Sequence, residues 1–285
     1  MTKTFFLGLG GQKCGSTWIQ SYLARQTGSD FGRLGEYQAW EHHLGGVFAR
    51  YRAPEPSLLA KLRARTKVAL GAPEPAAHLR WRLQQDGDAY FDYFAGLLDR
   101  PGITRTGDIS PSYAALPAAR LADLRDRLST RGMTVKVLFS MRDPVDRIRS
   151  HMRMEMDKGR LPPSTDNDTP LAAFYAGPEA EARTRYDTTL DALEAVFAPQ
   201  DRFVTTFETL FTAHGIAELS RFADVPVDPQ AGMRAVNARA KGSGVSEDLE
   251  AEIARHYAPV YQAVARRLPQ VAEVWPSARH VLTTA

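Results

Sequence analysis

Residues 8–18 read Gly-Leu-Gly-Gly-Gln-Lys-Cys-Gly-Ser-Thr-Trp. They follow Thr4-Phe5-Phe6-Leu7, a short apolar run with β propensity. They lead into residues 17–25, where Trp18, Ile19, Tyr22 and Leu23 recur at helical spacing. Strand, glycine loop and helix, in that order, aim backbone N–H groups and a positive helix end at an anion. A kinase-type loop reads G-x-x-x-x-G-K-[ST], with lysine directly after the last glycine. Here Gly10 to Gly15 keeps the spacing, but Ser16 holds the lysine position and Lys13 lies two residues before Gly15. The loop is expected to hold a phosphate, yet it is not built like that of an NTPase.

A second stretch has the same logic. Val135-Lys136-Val137-Leu138-Phe139-Ser140-Met141 reads as a buried strand, ends in Arg142-Asp143-Pro144, and runs into a helix. Asp143 suits the N-cap and Pro144 the first helical position. Ser150 stands about two turns further on. Arg142 and Ser150 are placed to grip one phosphate, by a bidentate guanidinium and a hydroxyl donor. The alternative reading pairs Arg142 with Asp143 or Asp146 and leaves Ser150 to solvent. Arg147, Arg149 and Arg153 are assigned to ion pairs or the solvated face.

Strand-like runs at 4–9, 135–141 and 202–207 alternate with amphipathic stretches at 57–65, 89–98, 117–128, 143–158, 179–197 and 246–268. Such alternation predicts an α/β fold: a P-loop-like central parallel sheet with helices on both faces. With 285 residues and no visible boundary, the chain reads as one domain over 1–285. Two proline- or glycine-rich segments, 159–170 and 225–245, are long loops, either lids or tolerated insertions.

Composition is globular, with 44% hydrophobic and 24% charged residues. Lys and Arg number 36 against 33 Asp and Glu, with no basic cluster of the kind nucleic-acid binding needs. One cysteine, Cys14, excludes an internal disulfide and a cysteine-based zinc site. No metal-ligand constellation is apparent. No apolar stretch approaches the ~18 residues of a membrane span. Without a signal-like segment, the expected location is cytoplasmic. Oligomeric state is not readable.

Lys13-Cys14-Gly15-Ser16-Thr17-Trp18, taken with Arg142-Asp143-Pro144-Val145-Asp146-Arg147-Ile148-Arg149-Ser150, resembles the sulfotransferases that use 3′-phosphoadenosine 5′-phosphosulfate (PAPS). That family has a K-x-G-[ST]-T loop for the 5′-phosphosulfate and an R-D-P-x-x-R-x-x-S element for the 3′-phosphate. Gly107-Asp108-Ile109-Ser110-Pro111-Ser112-Tyr113 resembles the E-K-[ST]-P-x-Y segment of the glycan-modifying branch. Lys241-Gly242-Ser243 resembles that branch's K-G-R loop over the nucleotide. The resemblance implies that PAPS is the donor and that no metal is needed. Gln12, Lys13, Cys14, Gly15, Ser16, Thr17, Trp18, Arg142, Ser150, Lys241, Gly242 and Ser243 would then bind the donor. Lys13 would stabilise charge on the bridging oxygen. Trp18 either stacks on adenine or packs in a helix core. Cys14 is a small side chain filling a tight loop rather than a nucleophile.

The acceptor, a hydroxyl or amine on a glycan, lipid or small molecule, must lose a proton. Gly35-Glu36-Tyr37-Gln38-Ala39-Trp40-Glu41 resembles the family's K-E-x-H-x-F/W-D segment, whose glutamate is the proposed base. Glu36 is therefore the expected base and His42 its rival. Three family residues are replaced, by Gly35, Gln38 and Ile109, which leaves the Glu36 pKa governed more by burial. Asp108 is read as a structural hydrogen-bonding residue. Residues 40–100 and 159–185 are expected to line the acceptor cleft, with Trp40, Tyr51 and Trp81 as stacking candidates. Tyr90, Phe91, Tyr93 and Phe94 fit a helix core face. The competing functions are a nucleotide kinase or NTPase with an irregular loop, and a non-catalytic nucleotide-binding protein.

Overall fold

In the computed structural model, which describes residues 2–233 and 244–282, the first apolar run forms strand β1, Lys3–Gly10. From Phe5 onward every residue of β1 is buried, as a strand covered on both faces requires. It pairs in parallel with β2 (Arg105–Ile109) on one side and β3 (Met133–Met141) on the other. Strand β4 (Arg202–Thr206) extends the sheet beyond β3, giving the parallel order β2-β1-β3-β4. The chain leaves β1 for one neighbour and returns to the other, so the carboxyl ends of β1 and β3 form a topological switch point. Ligands of open α/β sheets bind there.

The helices include α1 (Ser16–Ala24), α2 (Leu58–Ala69), α3 (Ala76–Gln85), α4 (Gly87–Leu98), α5 (Ala118–Ser129) and α6 (Pro144–Asp157). Alternation along β1 divides the core. Phe5, Leu7 and Leu9 pack with Tyr90, Phe91 and Phe94 of α4 and with Leu121, Leu124 and Leu128 of α5. Phe6 faces the other way, toward Trp18, Ile19 and Leu23 of α1 and toward Ile216 and Leu219 of the helix Ala213–Ala223. Helices thus cover both faces, as the alternation predicts, and Tyr90, Phe91 and Phe94 are core residues.

The structure departs from the sequence pattern at several elements. β2 was not among the expected strands, because its sequence Arg-Thr-Gly-Asp-Ile lacks an apolar run. Gly107 is required there: a Cβ would sit 2.4 Å from the Phe6 carbonyl oxygen and 2.8 Å from the Phe31 ring. Helix α3 likewise lies outside the amphipathic stretches of the sequence. The stretch 246–268 is two helices, Glu247–His256 and Ala258–Ala265, with Pro259 in the first turn of the second. Proline cannot continue a helix interior but suits a helix start. The stretch 179–197 also divides, into Pro178–Glu181 and Tyr186–Val196. At the break the Thr184 hydroxyl donates to the Ala180 carbonyl and the Tyr186 N–H bonds the Thr184 carbonyl. Among the described residues, no helix is long and apolar enough to cross a membrane.

Candidate active site

The loop from Gly11 to Gly15 turns directly from β1 into α1. Gly15 is the N-cap residue, with φ 92°, and a Cβ there would lie 2.8 Å from Leu210. Only glycine meets both demands. Lys13 also has a left-handed backbone, φ 68°, which costs energy in a non-glycine residue and is found where surrounding structure enforces it, often at functional sites. The loop is tied to β3 by the Gly11 N–H to the Ser140 carbonyl, 2.5 Å, and by the Ser140 hydroxyl to the Cys14 carbonyl, 2.6 Å. The first turn of α1 leaves N–H groups without intrahelical partners, and Ser16 and Thr17 sit in it.

Cys14 points beneath this loop. Its thiol is buried, 3.7 Å from the Tyr186 hydroxyl and 3.4 Å from the Gln12 carbonyl oxygen. Burial pushes the thiol up to about 12, which leaves it protonated and inert. Its side chain therefore fills space under the loop and does not line the cleft above.

At the end of β3, Asp143 caps α6 by accepting from the Val145 N–H at 2.9 Å. The same carboxylate accepts from the Tyr261 hydroxyl and the Ser277 N–H, both at 2.8 Å. The C-terminal helices thereby clamp the start of α6. Arg142, next to it, stacks its guanidinium over the Phe207 ring at 4.5 Å. One terminal nitrogen bonds Asp146 at 3.3 Å, while Nε is buried without a hydrogen-bond partner among the described residues. The ion pair and the cleft-facing placement coexist. Arg147 is not on a solvated face: it is fully buried, and among the described residues only its Nη2 finds a partner, the Ala180 carbonyl at 3.1 Å. Arg149 does form the expected ion pair, with Asp146 at 2.5 Å.

Glu36 stands across the cleft on a loop whose backbone is pinned at several points. Arg80 of α3 donates to the Glu36 carbonyl at 2.8 Å. Gln84 of α3 donates to the carbonyls of Gln38 at 2.7 Å and Tyr51 at 2.9 Å. Asp108 of β2 sits under the loop, fully buried, accepting from the hydroxyls of Ser110 (2.7 Å), Tyr113 (2.7 Å) and Tyr90 (3.0 Å). Ser110 in turn accepts from the Gln38 N–H at 3.1 Å, and Tyr113 from the Ala39 N–H at 2.9 Å. Asp108 is thus a hydrogen-bond hub for the loop that carries Glu36. Burial raises the Glu36 carboxyl above its ordinary value; the Gln38 amide, at 3.1 Å, pulls the other way, and the Asp108 charge adds to the rise.

A cleft of about 410 Å³ joins these parts. Gln12, Lys13, Gly15, Ser16, Thr17 and Trp18 line it from the loop and α1, Arg142 and Ser150 from β3 and α6, and Glu36 from the opposite wall. His42 does not line it. Its ring is buried against His43 at 3.9 Å, and burial pushes it down to about 4. Lys241, Gly242 and Ser243 lie outside the described residues, as does part of the 225–245 loop. Trp18 is only 4% exposed, stacked on Tyr22 at 5.2 Å and bonded through Nε1 to the Ala231 carbonyl at 3.2 Å. It is a core tryptophan whose rim reaches the cleft.

Several lining residues escaped the motif reading: Gln38, Ser112, Met154, Lys158, Phe207 and Phe211. Ser150, Met154 and Lys158 follow one another four residues apart, so a helical wheel of α6 would have found the last two. Ser112 lies within the quoted 107–113 segment, but nothing local marks it as a wall. Of the stacking candidates, Tyr51 alone lines the cleft. Burial alone would raise its phenol; Arg183, whose guanidinium donates to it at 3.3 Å, together with Ser112 and Arg50 outweighs this, and the phenol falls below its ordinary value.

No protein-family model and no curated protein matches the chain. Among solved structures it is similar to the sulfotransferase from Alicyclobacillus acidocaldarius. The TM-score is 0.60 at 18% identity, covering 94% of this chain and 97% of that one. Two further similar structures are sulfotransferase domains. That of the Synechococcus PCC 7002 olefin synthase gives a TM-score of 0.49 at 17% identity, over 90% and 94% of the two chains. That of the curacin biosynthetic pathway gives 0.49 at 16%, over 94% and 98%. The first comparison establishes that this chain has the fold of a sulfotransferase.

Proposed function

We propose that this protein is a PAPS-dependent sulfotransferase that transfers the sulfuryl group to a hydroxyl or amine acceptor by in-line displacement, as a single catalytic domain acting in the cytoplasm. One observation carries the reading: Lys13, Glu36, Arg142 and Ser150, from three separate segments of the sequence, line one cleft at the sheet's switch point. The residues fit a donor with two separate phosphates. The glycine loop and the first turn of α1 supply N–H groups and the Ser16 and Thr17 hydroxyls for the 5′ end. Arg142, with its buried Nε unpartnered and its plane held on Phe207, and Ser150 offer a second anion site for the 3′-phosphate.

Bound PAPS would supply an activated sulfuryl group on a phosphate leaving group. Lys13 stabilises the negative charge that grows on the bridging oxygen as that bond breaks, a task for a mobile point charge. Glu36, ionised, takes the acceptor proton as the oxygen or nitrogen attacks sulfur. Its raised pKa makes it a stronger base than an exposed glutamate. A glycan, a lipid headgroup and a small metabolite all meet the requirement for a nucleophilic acceptor.

Transfer of labelled sulfuryl groups from PAPS to an acceptor panel tests the reading. Labelled product from the wild type and ~10²–10⁴-fold less from Glu36→Gln is expected. Binding of the product nucleotide PAP (adenosine 3′,5′-bisphosphate) without transfer to any acceptor would reduce the protein to a nucleotide binder. Magnesium-dependent ATP hydrolysis in place of transfer would assign it to the NTPases.

A further inference from the structure

Helix α2 carries an apolar face that neither the core nor the cleft uses. Leu58 is 84% exposed, Leu62 61% and Leu70, just past the helix end, 80%; Leu59 and Val68 are exposed as well. At 3.6 residues per turn, Leu58, Leu59, Leu62, Thr66, Ala69 and Leu70 fall on one stripe. Ala64, the buried residue of the helix, lies on the opposite side. The stripe therefore points away from the body of the protein, the reverse of an ordinary surface helix.

Cations flank the stripe on both sides, Lys61 and Arg65 along one edge, Arg63 and Lys67 along the other. Lys61 is engaged at home, 2.6 Å from Glu55 and 4.6 Å over the Trp81 ring. Arg63, Arg65 and Lys67 form no ion pair with any described residue. From residue 56 to 73 there is no Asp or Glu. An exposed leucine stripe between two cationic rims is the arrangement of a helix that lies in a lipid headgroup layer.

We infer that α2 docks the protein on an anionic bilayer, with the leucines among the upper acyl chains and Arg63, Arg65 and Lys67 on lipid phosphates. A bilayer presents anions along both rims at once and an apolar layer between them. A second copy of this chain fits poorly, because pairing like faces would bring these cations together with no acid in the segment to offset them. A helix of twelve residues makes such docking reversible and salt-sensitive. The inference stands apart from the proposed chemistry and is read out by binding alone.

The test is co-sedimentation of the full chain with vesicles of phosphatidylcholine, and with vesicles of equimolar phosphatidylcholine and phosphatidylglycerol. Pelleting with the anionic vesicles at low salt, little with the neutral ones, and release at high salt is expected. Leu58→Ser with Leu62→Ser should weaken partitioning about a hundredfold, and Arg63→Glu, Arg65→Glu and Lys67→Glu together should abolish it. All five side chains lie on an exposed helix, so thermal melting should match the wild type. Were the leucine variant to melt early, Leu70→Ser replaces it. Wild type left in the supernatant overturns the inference, as does pelleting that ignores the leucines. Leucine-dependent self-association without vesicle binding would instead assign the face to a second copy.

Discussion

The two walls of the cleft are held in different ways. The donor wall is local: β1, its glycine loop and α1 are contiguous, and β3, Arg142 and α6 are contiguous. Each places the groups proposed to bind the donor's phosphates by the geometry of one strand–turn–helix unit. The acceptor wall is assembled from afar. Glu36 lies on an irregular loop whose position depends on Arg80 and Gln84 of α3 and on the hydroxyl hub around Asp108. On the proposed reading, such a site separates the cradle of the donor from the wall that carries the acceptor's base. Positional errors should therefore hurt the two walls differently: nucleotide affinity on one side, turnover on the other.

The largest effect should come from the reacting groups. Glu36→Gln is expected to lower transfer by ~10²–10⁴-fold, the usual worth of a positioned base, while PAP binding measured by calorimetry stays near wild type. Because burial holds the Glu36 pKa above its ordinary value and the base must be ionised, wild-type kcat should rise with pH through that elevated pKa. The Gln variant should lose this limb. Lys13→Ala should follow, at ~10²–10³-fold in kcat, again with PAP binding largely kept; equal loss of PAP affinity would move Lys13 from charge stabilisation to simple anchoring.

Asp108→Ala examines the supports of the acceptor wall. It strands three buried hydroxyls, so a loss of ~2–4 kcal/mol in unfolding free energy is expected by denaturant titration. In whatever fraction remains folded, kcat should fall more than PAP affinity. Uniform loss of both would mean that the two walls are not independent.

A separate effect, on stability alone, concerns Glu41 beside this wall, whose buried carboxyl is pushed up to about 8 by desolvation, from an ordinary 4.5. A folded-state pKa above the unfolded one gives stability that is complete below the lower value and is lost as pH rises through the higher. Thermal melting of the wild type should therefore decline relative to Glu41→Gln between pH 4.5 and about 8. Parallel melting curves across that range would show that Glu41 ionises freely.

The same contrast explains what the sequence displayed. The donor wall was legible because its information is contiguous. The spacing of Gly10, Lys13, Gly15 and Ser16 and the run Arg142-Asp143-Pro144 each describe a complete turn, and the strands beside them are apolar enough to stand out. β2 did not stand out, because it satisfies a buried carboxylate with hydroxyls rather than burying hydrocarbon. The helix breaks at Thr184 and Tyr257 depend on side chain–backbone bonds and on Pro259, inside stretches that keep helical periodicity. His42 offered the right chemistry but only a neighbouring position; burial against His43 took it out of the cleft. Tyr51, Ser112 and Glu36 meet across three separate segments, and no local spacing encodes such a meeting.

The claim that one cleft holds a donor with a separate 3′-phosphate is tested most directly by titrating wild type and Arg142→Ala with PAP and with AMP, which lacks that phosphate. The wild type is predicted to prefer PAP. The variant is predicted to lose ~1.5–3 kcal/mol toward PAP, typical of a hydrogen bond to a charged group, and little toward AMP. Equal losses for the two nucleotides, or a wild type that does not distinguish them, would contradict it.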